Sequence, residues 1–293
     1  MYKSIDGISF SVLDENVKNV PHGRRTPRQC RFCGKGEPDV TFKKEAHIIP
    51  QALGNRAHVS LEECDECNQK ASALENELAI YLTLERAVGR IRTGKKSYVK
   101  HKKPDGKSFV KSGADSSQVE VSLDPNDESV SLREVGESQL ELSITRGPFS
   151  LYRVAKAFAR MAWFLMPADR LKEFQHINDW IAGRASPFPV TFLRGFYAGS
   201  GFSKTTLILF ERERDDSQHP PYLINLFFGP WIFVMGIPDN SFKIEKHVVP
   251  ADEALKDVLF EATTLIKDGR LPASTQKYNI QFQEKQEGSG PEP

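Results

Sequence analysis

Apolar positions follow two different periods along the chain. In ISFSVL, VEVSLD, SVSLREV and QLELSIT they alternate with polar ones, the rhythm of strands with one wet face. The last three runs are separated by Asp, Asn and Gly, and they predict a three-stranded meander. From Phe149 the spacing turns helical through Leu151, Val154, Ala155, Phe158, Ala162 and Leu165, and Pro167 ends it. Further helices are expected over Ala168 to Ile181 and Ala251 to Lys267, with strands at VTFLRGFYAG, TTLILFERE and PYLINLFFGPWIFVMGI between them. Nearer the N-terminus, Leu74, Leu78 and Leu82 form one helical stripe. The order predicts an α+β protein, a small unit followed by a larger α+β domain.

A chain of 293 residues suits two such units. The expected division is an N-terminal arm over 1–29, a cysteine-bounded unit over 30–89, a basic linker over 90–118, an α+β domain over 119–282 and a disordered tail over 283–293. With 39% hydrophobic residues a real core can form. The longest apolar stretch is interrupted by Gly229 and Pro230 and is too short to span a bilayer. The first residues lack a charged start followed by an apolar run, so the expected location is the cytoplasm.

Charge changes this picture locally. The net charge of +1 gives no global attraction to nucleic acid, but Arg90 to Lys111 carry nine Lys or Arg against one acidic residue, Asp105. Lys95, Lys96, Lys102 and Lys103 are candidate phosphate contacts there, and a solvated tether is the alternative.

The chemistry concentrates earlier. All four cysteines fall within residues 30 to 67, as Cys30-Arg31-Phe32-Cys33 and Cys64-Asp65-Glu66-Cys67. Two C-x-x-C knuckles can offer four thiolates to one tetrahedral zinc, a closed shell that stabilises a fold and leaves no position for a reacting water. Gly34 suits the positive-φ turn of a knuckle. In a reducing compartment a metal site is favoured over disulfides.

Between the pairs stands K-K-E-A-H-I-I-P-Q-A-L-G-N, and the second pair continues as E-C-D-E-C-N-Q-K. The order C-x-x-C, H-I-I-P, L-G-N, C-x-x-C-N resembles the zinc-stapled branch of HNH endonucleases over residues 30 to about 80. That resemblance implies a ββα-metal module in which His47 is the general base and Asn68, opening a helix, a ligand to one catalytic magnesium or manganese ion. DNA is the implied substrate, with RNA left open. Independently of the family, phosphodiester hydrolysis needs an activated water and a counter-charge, which an imidazole and a cation can supply.

The pattern departs from the family at Ala46, where many members carry a further metal ligand. Glu45 and Glu75 are candidate replacements, and each could equally be a solvated carboxylate. Asn55 either matches the motif's middle Asn or orients the loop with Gly54. His58 reads as a surface residue. Residues 119 to 280 match no catalytic pattern, so the larger domain is expected to regulate or target the smaller, with self-association open. The competing expectation is a zinc-stapled binding module that Ala46 has left inactive.

Overall fold

The computed structural model describes residues 2–12, 19–24, 26–92, 97–103, 105–113, 118–137, 139–185, 190–197, 204–213, 219–239, 258–265 and 269–281. Strands β1 (Tyr2–Phe10), β2 (Val20–His22), β3 (Ala46–His47) and β4 (His58–Ser60) precede helices α1 (Asp65–Tyr81) and α2 (Thr83–Val88). Next come β5 (Lys100–His101), β6 (Phe109–Ser112), β7 (Val119–Ser122), β8 (Val130–Gly136) and β9 (Gln139–Arg146), then α3 (Leu151–Leu165) and α4 (Gln175–Ile181). The last strands are β10 (Val190–Tyr197), β11 (Thr205–Arg212), β12 (Tyr222–Phe228), β13 (Trp231–Ile237), β14 (Val258–Leu265) and β15 (Ser274–Gln281). The architecture is α+β.

An antiparallel six-stranded sheet, in the order β1-β11-β12-β13-β10-β14, forms the floor. The β12–β13 hairpin turns at Gly229, whose φ of 56° is a conformation a side chain resists. Helix α3 packs between this sheet, α1 and α4, which is why only Arg153 and Lys156 of its residues escape burial. Its Ser150 cap accepts a hydrogen bond from the Arg153 amide. Phe158 of α3 meets Phe192 of β10 edge-on at 4.9 Å, and Tyr81 at the end of α1 packs against Phe192 and Phe233. One apolar core therefore runs from Cys30 and Ile48 to Phe233.

Several elements differ from the sequence expectation. The strand in the expected N-terminal arm, β1, pairs with β11 at the sheet edge, a partner about 200 residues away that no local pattern could announce. The stretch 90–118 is not featureless: β5 and β6 cross it, and β7 joins β6 in a separate sheet instead of continuing a meander with β8 and β9. Those two pair with each other and with β15. The helix expected from Ala168 starts only at Gln175, after turns in which the Arg170 amide bonds the Pro167 carbonyl. In place of the helix expected over Ala251 to Lys267, residues Val258–Leu265 form β14 along β10, an edge whose pairing overrides local helix preference; 251–257 and 266–267 lie outside the described residues, as does the tail 283–293. Among the described residues no helix is long and apolar enough to cross a membrane.

Candidate active site and metal centre

The two knuckles meet. The sulfurs of Cys30, Cys33, Cys64 and Cys67 all lie within 4.8 Å of one another, with Cys33 and Cys64 Sγ 3.8 Å apart. Zn–S bonds of roughly 2.3 Å in a tetrahedron place sulfurs about 3.8 Å apart, so the donor set fits zinc. The first knuckle closes through the Gly34 amide on the Cys30 carbonyl at 2.8 Å, with Gly34 at φ 73°. The Cys64 amide points at Cys30 Sγ over 3.4 Å. A hydrogen bond from Cys67 pulls the Cys30 thiol down to about 4, whereas burial pushes Cys64 up to about 11 and the Cys30 neighbour drives Cys67 up. The Cys30 thiolate is easily formed and opposes ionisation of Cys64 and Cys67, an imbalance that a bound dication relieves.

Beyond the tetrad, β3 carries His47 in antiparallel register with β4, where His47 faces Val59. The chain then turns through Pro50 into a single 3-10 turn over Gln51–Leu53. Asn55, fully buried, fastens the loop: its amide donates to the Ile49 and His58 carbonyls, and its carbonyl accepts from the Ala57 and His58 amides. Each of those backbone groups would cost about 1–3 kcal/mol if stranded, so the observed contacts of Asn55 are those of a loop anchor. At the start of α1, Asp65 accepts from Thr41 Oγ1 at 2.5 Å and from the Lys43 and Lys44 amides at 3.1 and 2.7 Å. This ties the segment leading to Glu45 onto the helix that carries Asn68.

These anchors set Glu45 against both His47, through its carboxylate, and Asn68, through its backbone carbonyl. Glu45 Oε2 lies 4.0 Å from His47 Nε2, and the Asn68 amide approaches the Glu45 carbonyl at 3.3 Å, which leaves its side-chain oxygen uncommitted to that contact. Gln51 Nε2 stands 2.7 Å from His47 Nε2, so in the Nδ1–H tautomer the amide donates to the ring. His47 Nδ1 is buried without a partner among the described residues. Burial lowers the His47 pKa below the usual imidazole value; Glu45 opposes this, and Arg56 and Arg160 reinforce it. Asn19, from the N-terminal segment, donates to Glu45 Oε1 over 2.6 Å.

Glu75 is placed elsewhere. Its carboxylate pairs with Arg160 of α3 at 3.1 Å, and Arg160 also bonds Glu63 at 2.5 Å. Burial outweighs the arginine and pushes the Glu63 carboxyl up to about 7. Among the described residues the tetrad is the single group of three or more His, Cys, Asp or Glu side chains close enough to share an ion, so Glu45, His47 and Glu75 do not converge. His58 is half-buried rather than at the surface, and its Nδ1 lies 2.9 Å from His22 Nε2 of the parallel strand β2. Lys102 and Lys103 are exposed; Lys95 and Lys96 lie outside the described residues. Sequence reasoning did not find Asn19, Gln51, Asp65 or Arg160, whose partners are set by the fold; Gln51, one turn beyond His47, carried the nearest local signal.

No curated protein and no solved structure matches the chain. Residues 30–78 match the model of a family described as HNH endonuclease, and that match identifies the stretch carrying the tetrad, His47 and Asn68 as HNH-type.

Proposed function

We propose that the chain is a metal-dependent endonuclease hydrolysing DNA phosphodiester bonds, with its catalytic unit in residues 30–89. The observation that carries this reading is the contact of Glu45 with both His47 and Asn68 inside the HNH-matched stretch. His47 is the base. With the Gln51 amide swung aside, Nε2 takes a proton from water as the water oxygen bonds phosphorus and the P–O bond to the leaving sugar oxygen breaks. Burial favours the neutral ring, so the lone pair is available near neutral pH. The Glu45 carboxylate and the Asn68 side-chain oxygen would hold magnesium or manganese, hard cations that prefer oxygen donors. Such an ion, when bound, supplies counter-charge to the phosphate.

The four cysteines would hold a structural zinc, available as thiols in a reducing cytoplasm. Residues 119–282 regulate or target the catalytic unit in this reading. A second reading, a nucleic-acid-binding module without activity, is favoured by Ala46 and by the capture of Glu75 by Arg160, which leave one carboxylate beside His47. Plasmid DNA and a long RNA incubated with the protein and magnesium or manganese separate the two. Nicking of DNA is expected, slowed on the order of 100-fold or more in His47→Ala with zinc content unchanged. A parent protein that binds DNA yet cuts it in neither ion would establish the binding module instead.

A further inference from the structure

We propose that Gln51 is a positioning residue for His47: its side-chain amide holds the ring in the Nδ1–H tautomer and so keeps the lone pair on Nε2. The inference rests on the nuclease reading for its purpose, since His47 is the base there, but the tautomer can be read without any cleavage.

A neutral imidazole carries its proton on either nitrogen, and the partners of the two nitrogens decide which. On His47 those partners are unequal. Nδ1 is buried without a hydrogen-bond partner among the described residues, so neither tautomer gains a bond on that side. Nε2 has Gln51 Nε2 at 2.7 Å, a hydrogen-bond distance. An amide nitrogen only donates, so this bond exists when Nε2 is bare and Nδ1 carries the proton. A base needs the same form: a proton on Nε2 would leave the lone pair on Nδ1, which is closed to solvent.

The two ends of an amide are alike in shape, so its orientation needs a separate argument. Glu45 Oε2 stands 4.0 Å from the same ring nitrogen. Turned over, the amide would bring its oxygen towards that negative charge, whereas its nitrogen end meets lone pair and carboxylate with partial positive charge. By itself the carboxylate would draw a proton to Nε2, but 4.0 Å is beyond hydrogen-bond reach, and Glu45 Oε1 is taken by Asn19 at 2.6 Å. Gln51 is the nearer partner.

The fold does not need this side chain for itself. Gln51 opens the 3-10 turn Gln51–Leu53, and that turn is anchored by buried Ile48, Ile49 and Leu53, while Gln51 is exposed. The Gly54 amide closes the turn on the Gln51 carbonyl at 2.9 Å, a backbone bond that other residues at this position would keep. Fixing a long exposed side chain on a single bond adds little stability, because the lost rotamer freedom offsets it. The amide also fills the place of the attacking water, which must lie within hydrogen-bond distance of Nε2. Such a water donates to Nε2 as the amide does, so the tautomer persists when Gln51 swings aside.

The test reads the ring directly by nitrogen NMR on the isotope-labelled full chain without added divalent ions, at about pH 8, where an imidazole is neutral. His47→Ala assigns the signals. The parent should show a protonated Nδ1 and a bare Nε2. Gln51→Glu, whose carboxylate only accepts, should put a proton on Nε2, and Gln51→Leu should leave a mixture of tautomers, with zinc content and unfolding midpoint unchanged in both. A parent whose proton sits on Nε2, or a Gln51→Glu ring like the parent's, overturns the proposal. In plasmid nicking Gln51→Glu should lower kcat by about 100-fold with KM little changed, since the base is disabled and substrate contacts remain. An undiminished kcat in an active enzyme overturns the positioning role. A parent that shows the expected tautomer yet cuts DNA with neither magnesium nor manganese supports the hold of Gln51 on the ring and removes the nuclease reading alone.

Discussion

Between Cys30 and Leu78 the backbone is fastened by a few discrete links: four thiols, the hydrogen bonds of Asn55, and those of Asp65. In β12, β13 and α3 nearly every side chain is buried against another apolar one. The first region is largely loop, and its buried apolar side chains, among them Phe32, Ile48, Ile49 and Leu53, join the edge of the common core. The second has regular elements and fills them with Leu, Ile, Phe and Trp. A fold held by discrete links fails at single residues, whereas a distributed core loses stability in increments.

The largest contrast is expected at the tetrad. Cys64→Ser should abolish zinc binding, seen by elemental analysis, and open residues 30–78 to proteolysis before the sheet unfolds. Leu226→Ala, in the sheet, should cost about 2–5 kcal/mol and leave zinc bound. Full zinc retention in Cys64→Ser would erase the distinction.

Next in size is the joint between the regions. Arg31 donates to the Trp163, Phe164 and Met166 carbonyls at the end of α3, and Arg160 reaches back to Glu63 and Glu75. Removing the charge with Arg160→Met strands a buried Glu63 and should cost about 3–5 kcal/mol in urea unfolding. Adding Glu63→Leu should recover much of that loss. If the double variant is no better than the single, packing and not charge couples the regions.

The smallest effect concerns pH. His101 is buried on β5, with Nδ1 3.3 Å from Thr83 Oγ1, and burial beside Arg146 pushes its pKa down to about 4. The folded protein keeps this ring neutral while the unfolded chain protonates it near pH 6.5, so its stability contribution is intact above 6.5 and lost as pH falls towards 4. The loss should total about 3 kcal/mol at the acid end. Unfolding midpoints measured across that window should fall less steeply in His101→Gln; identical slopes would assign the acid sensitivity to His22, His47 and His58, whose pKa values are also lowered.

By itself the sequence determined the cysteine knuckles, the HNH-type segment and the course of α3, because each is written in neighbouring residues: cysteines in C-x-x-C pairs, His47 before I-I-P, apolar residues at helical spacing. It also indicated most strands, since alternation is local. Only the tertiary structure decided who pairs with whom. That β1 lies against β11, that β7 leaves β8 and β9 for β6, and that Val258–Leu265 is a strand all depend on edges presented by distant residues. The same holds at the site. Glu75 read as a possible ligand because helical spacing put it on the face of Asn68, yet Arg160, 85 residues away, holds its carboxylate. Gln51 and Asn19 carried no motif, because hydrogen-bond partners follow from distances that only the folded chain sets.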